Sequence, residues 1–349
     1  MPDAEPRESN PSDDVPPAAE SGVDGVAPEL ERTGKRWSFW RRTWCVFAVL
    51  ALIMVLVPVA ARLFGIEAGP LAILVSLMPW VTVACVVPVV LALVARAWWL
   101  VAASAAVLVL CMSWAVPMFT AQPALGGEAL RVASINLTFG EADADAVVGL
   151  VRDKEVDVLA AQEVTPEAVA ALRAAGLDEL LPFSEIAAEP GITGTALWSR
   201  TPLDAAGQVD GFVSRAVRGT VDVGGSTLEV LAVHPAAPGP RVHERWSSDL
   251  GHLTDILKSQ TGPTLALGDF NTTRDHKAFR EIQSLGYADA ADQAGAGFLP
   301  TFPDGRGIGP FVAIDHALVG HVDLVATSVT TASVPGADHR ALLVTYGAT

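Results

Sequence analysis

Cysteine is nearly absent from this chain, and wholly absent from its last two thirds. The only three, Cys45, Cys85 and Cys111, fall early in the 349 residues. Nothing after residue 111 can therefore form a disulfide, hold a zinc–thiolate centre or serve as a cysteine nucleophile. Tyrosine is as scarce, at Tyr287 and Tyr346 only. Basic charge is also short. The chain carries 23 Lys and Arg against 39 Asp and Glu, for −16 overall, and from residue 128 onward 15 basic residues face 29 acidic ones. A broad nucleic-acid-binding face needs a basic footprint, so this balance disfavours one. It leaves room for a phosphate site in which bound cations offset carboxylates locally.

Charge is missing altogether from residues 44–61 and 68–95, and a third apolar run follows Arg96 over residues 97–117. A hydrocarbon core takes about 20 apolar residues to cross, so three transmembrane helices are predicted within residues 35–119. None of the three runs contains Asp, Glu, Lys, Arg or His to mark an ion path, which argues against a transporter or channel. Lys35, Arg36, Arg41 and Arg42 precede the first run, and Arg96 separates the second from the third. The positive-inside rule then places the N-terminus in the cytoplasm and everything after about residue 120 outside the cell. Trp37, Trp40, Trp44, Trp98 and Trp99 suit the two interfacial belts. Residues 1–34 hold nine acidic residues against Arg7 and Arg32 with no apolar period, which reads as a disordered acidic tail. A linker is expected over 120–129 and a folded unit over 130–349.

In that unit short apolar runs alternate with helical stretches. Strands are expected over residues 131–137, 156–162, 194–200, 215–223, 227–234, 263–268, 312–319 and 340–346. Helices are expected over 142–154, 166–176, 244–258 and 276–285. Several strand pairs have no helix between them, so a purely parallel sheet is excluded. The expected fold is a layered α/β (α+β) sandwich with mixed sheets.

Polar residues fall where these strands end. Asn136, Glu163, His234, Asp269 and Asn271 each close an apolar run, and Asp315 and the pair Asp338-His339 precede or open one. In mixed sheets such ends can share one edge, where pockets form. Taken singly, an Asn or Asp at a strand end is a turn former, Glu163 a solvated helix-start residue and His234 a loop histidine. As a set they supply hard oxygen ligands for Mg²⁺, Mn²⁺ or Ca²⁺, together with histidines for proton transfer.

The ordered pieces Ser134-Ile135-Asn136, Gln162-Glu163, Gly194-Thr195-Ala196-Leu197-Trp198-Ser199-Arg200, Val233-His234, Gly268-Asp269-Phe270-Asn271, Ile314-Asp315-His316 and Ala337-Asp338-His339 resemble the endonuclease/exonuclease/phosphatase superfamily over residues 130–347. That superfamily includes DNase I-like nucleases, sphingomyelinase-like enzymes and inositol-phosphate phosphatases. The resemblance implies a four-layer αββα sandwich of two mixed β-sheets. It implies a metal site at Glu163 with Asn136 and Asp338, and catalytic roles for the other matching residues. His339 would be the general base or the phosphate-contacting histidine, oriented by Asp315. His234 would stabilise the transition state or act as acid, Asp269 would orient the attacking water, and Asn271 would hold a phosphate oxygen. Ile135 stands where the family usually has an aromatic residue, and Ala337 where it usually has Ser. With only two tyrosines, the abasic-site repair branch, which uses an active-site Tyr, is disfavoured. The expected activity is hydrolysis of phosphate esters, with nucleic acid, a nucleotide or a phospholipid headgroup as substrate and the lipid bilayer as the other partner. No obligate protein partner is implied. The competing reading is a non-catalytic scaffold on the same fold.

Overall fold

A computed structural model of the chain describes residues 27–123, 126–239, 243–305, 307 and 309–348. Most of the acidic tail, residues 1–26, lies outside the described residues. The remainder of the expected tail is already helical, because the first helix starts at Ala27.

Five helices come first: α1 (Ala27–Phe64), α2 (Pro70–Ser76), α3 (Met78–Ala84), α4 (Val86–Val94) and α5 (Trp98–Ala115). Two segments, Trp37–Phe64 and Trp98–Phe119, are each long and apolar enough to cross a membrane. The second expected span is not one straight helix. It bends by 70° between Pro70–Ser76 and Met78–Val94, so the three crossings hold if this bent pair counts as one span. The reason is local. Pro79 has no N–H to give to Val75, and its ring crowds that carbonyl, so the helix breaks at Leu77. Small residues bring the helices together at one end, where Ala48, Ala92, Ala95 and Ala97 pack with Leu100.

The remaining described residues form two six-stranded sheets. The strands are β1 (Glu128–Asn136), β2 (Val158–Gln162), β3 (Phe183–Ala187), β4 (Thr195–Ser199), β5 (Asp204–Val209), β6 (Ala216–Val223), β7 (Ser226–Val233), β8 (Thr264–Asp269), β9 (Ala288–Asp289), β10 (Asp315–Gly320), β11 (Leu324–Ala332) and β12 (Ala341–Ala348). Their orders are β11-β12-β1-β2-β4-β3 and β5-β6-β7-β8-β10-β9. Only β1 with β2 and β7 with β8 pair in parallel, so both sheets are mixed, as expected.

Side chains alternate across each strand with period two. Val132, Val158, Leu197, Val230, Leu265 and Val344 face the partner sheet and close the central core. Their neighbours Ala133, Ile135, Leu159 and Trp198 face outward, under α6 (Ala144–Asp153), α7 (Pro166–Ala174) and α8 (Leu177–Leu180). On the other sheet Leu231, Val233, Ala266 and Leu318 are covered by α9 (His243–Ser259) and α10 (Lys277–Ser284), and the short α11 (Ala290–Gln293) follows β9. The architecture is the expected four-layer αββα sandwich. Asp143 and Thr165 cap α6 and α7 by accepting from the N–H groups of Ala146 and Ala168.

The sandwich is bolted to the apolar helices through residues 273–280. The Arg62 guanidinium, at the end of α1, donates to the Asp275 carboxylate at 2.6 Å with both side chains buried, and lies 3.8 Å over the Trp114 ring. Arg274 donates to the Trp114 carbonyl at 2.8 Å, and Arg280 to the Arg62 carbonyl at 2.8 Å. His276 contacts the Ala72 carbonyl at 3.0 Å, and Ala72 packs on Trp246 and Leu250. Trp80 donates its indole N–H to the Phe311 carbonyl at 2.8 Å. These contacts lie at the end of α1, the start of the bent pair and the end of α5. At the opposite end of the bundle, Arg41 donates to the Ala95 carbonyl at 3.2 Å and the Arg96 guanidinium sits 5.8 Å from the Trp37 ring.

Candidate active site

Strand register places the polar residues. Asn136 pairs with Gln162 across the parallel β1–β2 ladder, so Asn136 and Glu163 leave their strands side by side. Val233 pairs with Gly268, which sets His234 beside Asp269. Asp315 pairs directly with Asp269 across β8 and β10. Gly268 permits the close approach of β7, since a Cβ there would lie 2.1 Å from the Val233 carbonyl oxygen. Glu163 and Asn271 both hold positive φ, 56° and 48°, a strained geometry for non-glycine residues that recurs at functional sites.

Asn136 reaches from one sheet to the other. The Asn136 amide lies 3.2 Å from Glu163 Oε1 and 3.2 Å from Asp269 Oδ2. The Asn136 carbonyl oxygen in turn accepts from the Thr138 N–H at 2.9 Å. Glu163 Oε2 accepts from the Phe139 N–H at 2.8 Å. Thr138 donates its hydroxyl to Asp338 Oδ1 at 2.6 Å and accepts from the Asp338 N–H at 2.8 Å. His339 Nδ1 faces Asp315 Oδ2 at 3.0 Å, and its Nε2 lies 3.7 Å from Asp269 Oδ2. His234 Nε2 approaches the same Asp269 oxygen at 3.6 Å. The Phe302 ring packs on His339 with centroids 4.7 Å apart.

All eight sequence-predicted residues therefore lie on one edge. They form a connected cluster around Asn136, Asp269 and the Thr138 loop. Asn271 is held on several sides. Its side-chain amide donates to the Pro235 carbonyl at 3.0 Å, and its own carbonyl accepts from the Trp246 indole at 2.9 Å, so it braces the loop after β7. Its N–H donates to Asp269 Oδ1 at 2.8 Å.

Electrostatics follow from burial. Desolvation pushes the Asp269 carboxyl above its ordinary value, and Asp315 adds to this, while His339 and His234 act in the other direction. Burial disfavours the imidazolium of His339, yet the facing carboxylates of Asp315 and Asp269 outweigh it and push that group up to about 10. Asp315 Oδ1 and His234 Nδ1 are buried without hydrogen-bond partners among the described residues.

Two donor sets could take a cation. Asp269, Asp315 and His339 bring ligand atoms within 4.8 Å of one another, a candidate Asp-Asp-His site. Glu163 and Asp338 are the oxygen donors of the alternative, with Asn136 holding Glu163 Oε1 through its amide N–H. The spacing of His339 Nδ1 and Asp315 Oδ2 fits a hydrogen bond between them, which marks the first set as a proton-handling array. The second set suits a hard divalent cation better, and the surplus of carboxylates over basic groups in the cluster fits one.

Glu163, His234, Asp269, Asn271, Asp338 and His339 line a cleft of about 680 Å³. Arg245 also lines it and was missed in the sequence, where it reads as an ordinary surface residue of a helix. So was Thr138, whose hydroxyl holds Asp338 from 200 residues away. Ile192 and Phe302 line it from loops of the sandwich, and Ile73, Ser76 and Leu77 of the bent apolar segment line it as well.

Comparison with known proteins agrees with this geometry. The profile of the Endonuclease/Exonuclease/phosphatase family matches residues 133–339. Truncated TDP2 from Caenorhabditis elegans superposes with a TM-score of 0.52 at 19% identity, covering 64% of this chain and 99% of that one. An endonuclease/exonuclease/phosphatase from Bacteroides vulgatus gives 0.51 at 20% identity, covering 64% and 100%. D. rerio TDP2, solved with a single-strand DNA product, gives 0.52 at 15% identity, covering 63% and 100%. At these identities the likeness speaks for the fold. No curated protein matches the chain.

Proposed function

The chain belongs to the endonuclease/exonuclease/phosphatase family, and from that premise we propose that it is a membrane-anchored, divalent-cation-dependent hydrolase of phosphate esters working on the extracellular side. The observation that carries this reading is the bridging of Glu163 and Asp269 by Asn136 at 3.2 Å each, which joins both sheets' polar ends into one site.

Glu163 and Asp338 would hold Mg²⁺ or a similar ion, with Mn²⁺ and Ca²⁺ as alternatives, and Asn136 would help by orienting the Glu163 carboxylate. When bound, such an ion neutralises phosphate charge and polarises the phosphorus–oxygen bonds. The protein's own groups do the rest. Asp269, whose burial raises its basicity, orients the attacking water and takes its proton as the new bond to phosphorus forms. His339, kept as an imidazolium by Asp315 and Asp269, hydrogen-bonds the phosphate oxygens on which charge develops. His234, on the other side of Asp269, returns a proton to the ester oxygen as its bond to phosphorus breaks. Asn271 fixes the Asp269 carboxylate through its N–H and so acts as a positioning residue. The exposed Arg245, which lines the cleft, would meet an incoming anion.

The basic ends of the apolar helices, at Arg41, Arg42 and Arg96, support a cytoplasmic N-terminus, and the sandwich lies at the opposite end of the bundle. A panel of DNA, RNA, sphingomyelin and inositol phosphates, offered with Mg²⁺ to the purified full chain, tests the activity. Release of product from at least one ester is expected. A chain that cleaves none of them, and that binds Mg²⁺ no better than Glu163→Gln, is a scaffold.

A further inference from the structure

The wall of the catalytic cleft includes part of the apolar helical region. Ile73 and Leu77, at the 70° bend between α2 and α3, line the same cleft as Glu163 and His339. On its other face α2 is fixed, because Ala72 packs on Trp246 and Leu250, and His276 holds the Ala72 carbonyl. The wall is therefore a rigid part of the site.

The rim on the sandwich side is apolar too. Four large apolar side chains stay exposed among the described residues from 126 to 348: Phe139, Phe183, Ile192 and Val213. Three of them, Phe139, Ile192 and Val213, line this cleft. They come from three separate loops, so their convergence follows from the fold and from no single apolar run. Exposed apolar side chains gathered at one mouth mark a binding surface for something apolar. The mouth thus runs from a polar phosphate site, past Arg245, to a bent helix pair that is, taken together, long and apolar enough for a bilayer.

We infer that the substrate is a membrane-resident amphiphile: a phosphate ester carrying a long hydrocarbon chain, which reaches the site from the bilayer along Ile73 and Leu77. This rests on the hydrolase reading above and names the substrate class of the same site. The phosphate lies at Asn136, Glu163 and His339, and the chain lies against Ile73, Leu77 and the three rim residues. The ester is cleaved as described, with water's oxygen bonding to phosphorus, the ester oxygen leaving with a proton, and the hydrocarbon portion left in the lipid. The acidic surface agrees with this substrate class, since a long polyanion would be repelled where a single headgroup is not.

The test uses the full chain in lipid nanodiscs with Mg²⁺ and two diesters that share one reacting bond, hexadecyl para-nitrophenyl phosphate and ethyl para-nitrophenyl phosphate. Nitrophenolate release gives kcat/KM for each. A preference for the hexadecyl ester of roughly tenfold or more is expected, since each methylene buried adds to binding. The pair Ile73→Asp with Leu77→Asp is expected to cut that preference several-fold, and so is Ile192→Asp, which lies on an exposed loop and spares the packing of α2. Turnover of the ethyl ester with no preference for the longer chain overturns the inference and leaves the hydrolase reading standing. A preference that neither set of variants lowers also overturns it, because partition of the substrate into the disc then accounts for the effect. Turnover of neither ester, nor of any other phosphate ester, removes the hydrolase reading and this inference with it.

Discussion

His276 ties the catalytic unit to the bent apolar segment through a hydrogen-bond pattern that only a neutral imidazole can make. Its Nδ1 accepts from the Thr273 N–H at 2.9 Å, which leaves the Nε2 proton to reach the Ala72 carbonyl at 3.0 Å. Burial drives its pKa down to about 4 from 6.5. The unfolded chain binds a proton at the higher value, so this residue's contribution is complete above about pH 6.5 and is lost as pH falls toward about 4. Thermal unfolding of the full chain in micelles should show a falling midpoint over that window, and His276→Phe should flatten the slope from a lower starting point. An unchanged slope in the variant would contradict the assignment. Residue identity announced much of the site, because Gly268-Asp269-Phe270-Asn271 closes an apolar run and Asp338-His339 opens one. It did not announce Asn271's bond to the Pro235 carbonyl or Thr138's hold on Asp338. Those depend on loops that meet only after folding, and neither residue type is distinctive in a loop.

Among the elements, the junction between helices and sandwich rests on the Arg62–Asp275 pair, with side chains only 10% and 7% exposed. Removing one partner of a buried pair strands the other charge. Asp275→Asn should therefore cost about 3–5 kcal/mol, whereas replacing both partners by Arg62→Met and Asp275→Leu should cost much less. Denaturant titration of the full chain in micelles measures both. A single variant no less stable than the double would contradict this view of the junction. Strands with apolar alternation were legible: β1, β2, β4, β6, β7, β8, β10 and β12 appear within a few residues of their expected places. β5 was not, because Asp204–Val209 is an exposed edge strand with little to bury. β9 has two residues and gives no period to read. β11 was missed although Leu324–Ala332 is rich in β-branched residues, for its polar Thr-Ser-Val-Thr-Thr centre masks the alternation. The bend in the second apolar run was foreshadowed by Pro79, but the direction it sends α2, across the cleft mouth, is a tertiary fact.

At the scale of the whole molecule, the three crossings proposed above would put the basic end of the bundle and the sandwich on opposite faces of a bilayer. Single-cysteine labelling checks this, because the native cysteines all lie within the apolar helices. On intact cells an impermeant maleimide should label Ser247→Cys, exposed on α9, and should label Ser38→Cys only after lysis. The reverse pattern would place the site in the cytoplasm. A layered α/β sandwich with mixed sheets was legible from the order of strands and helices, and its four-layer αββα form from the family resemblance. The docking of that fold onto its own membrane segment was not, since Arg62, Glu67 and Ala72 look like ordinary loop and helix residues until residues 273–280 close over them.

The central claim is that this edge of the sandwich hydrolyses phosphate esters with the help of a divalent cation. Turnover of ethyl para-nitrophenyl phosphate by the full chain, titrated with Mg²⁺ and repeated for Glu163→Gln and His339→Ala, tests it most directly. The account predicts saturable Mg²⁺-dependent turnover that chelation abolishes. It predicts a fall of about a hundredfold or more in either variant, with a weaker Mg²⁺ midpoint for Glu163→Gln alone. Turnover that ignores both Mg²⁺ and these two substitutions would contradict it.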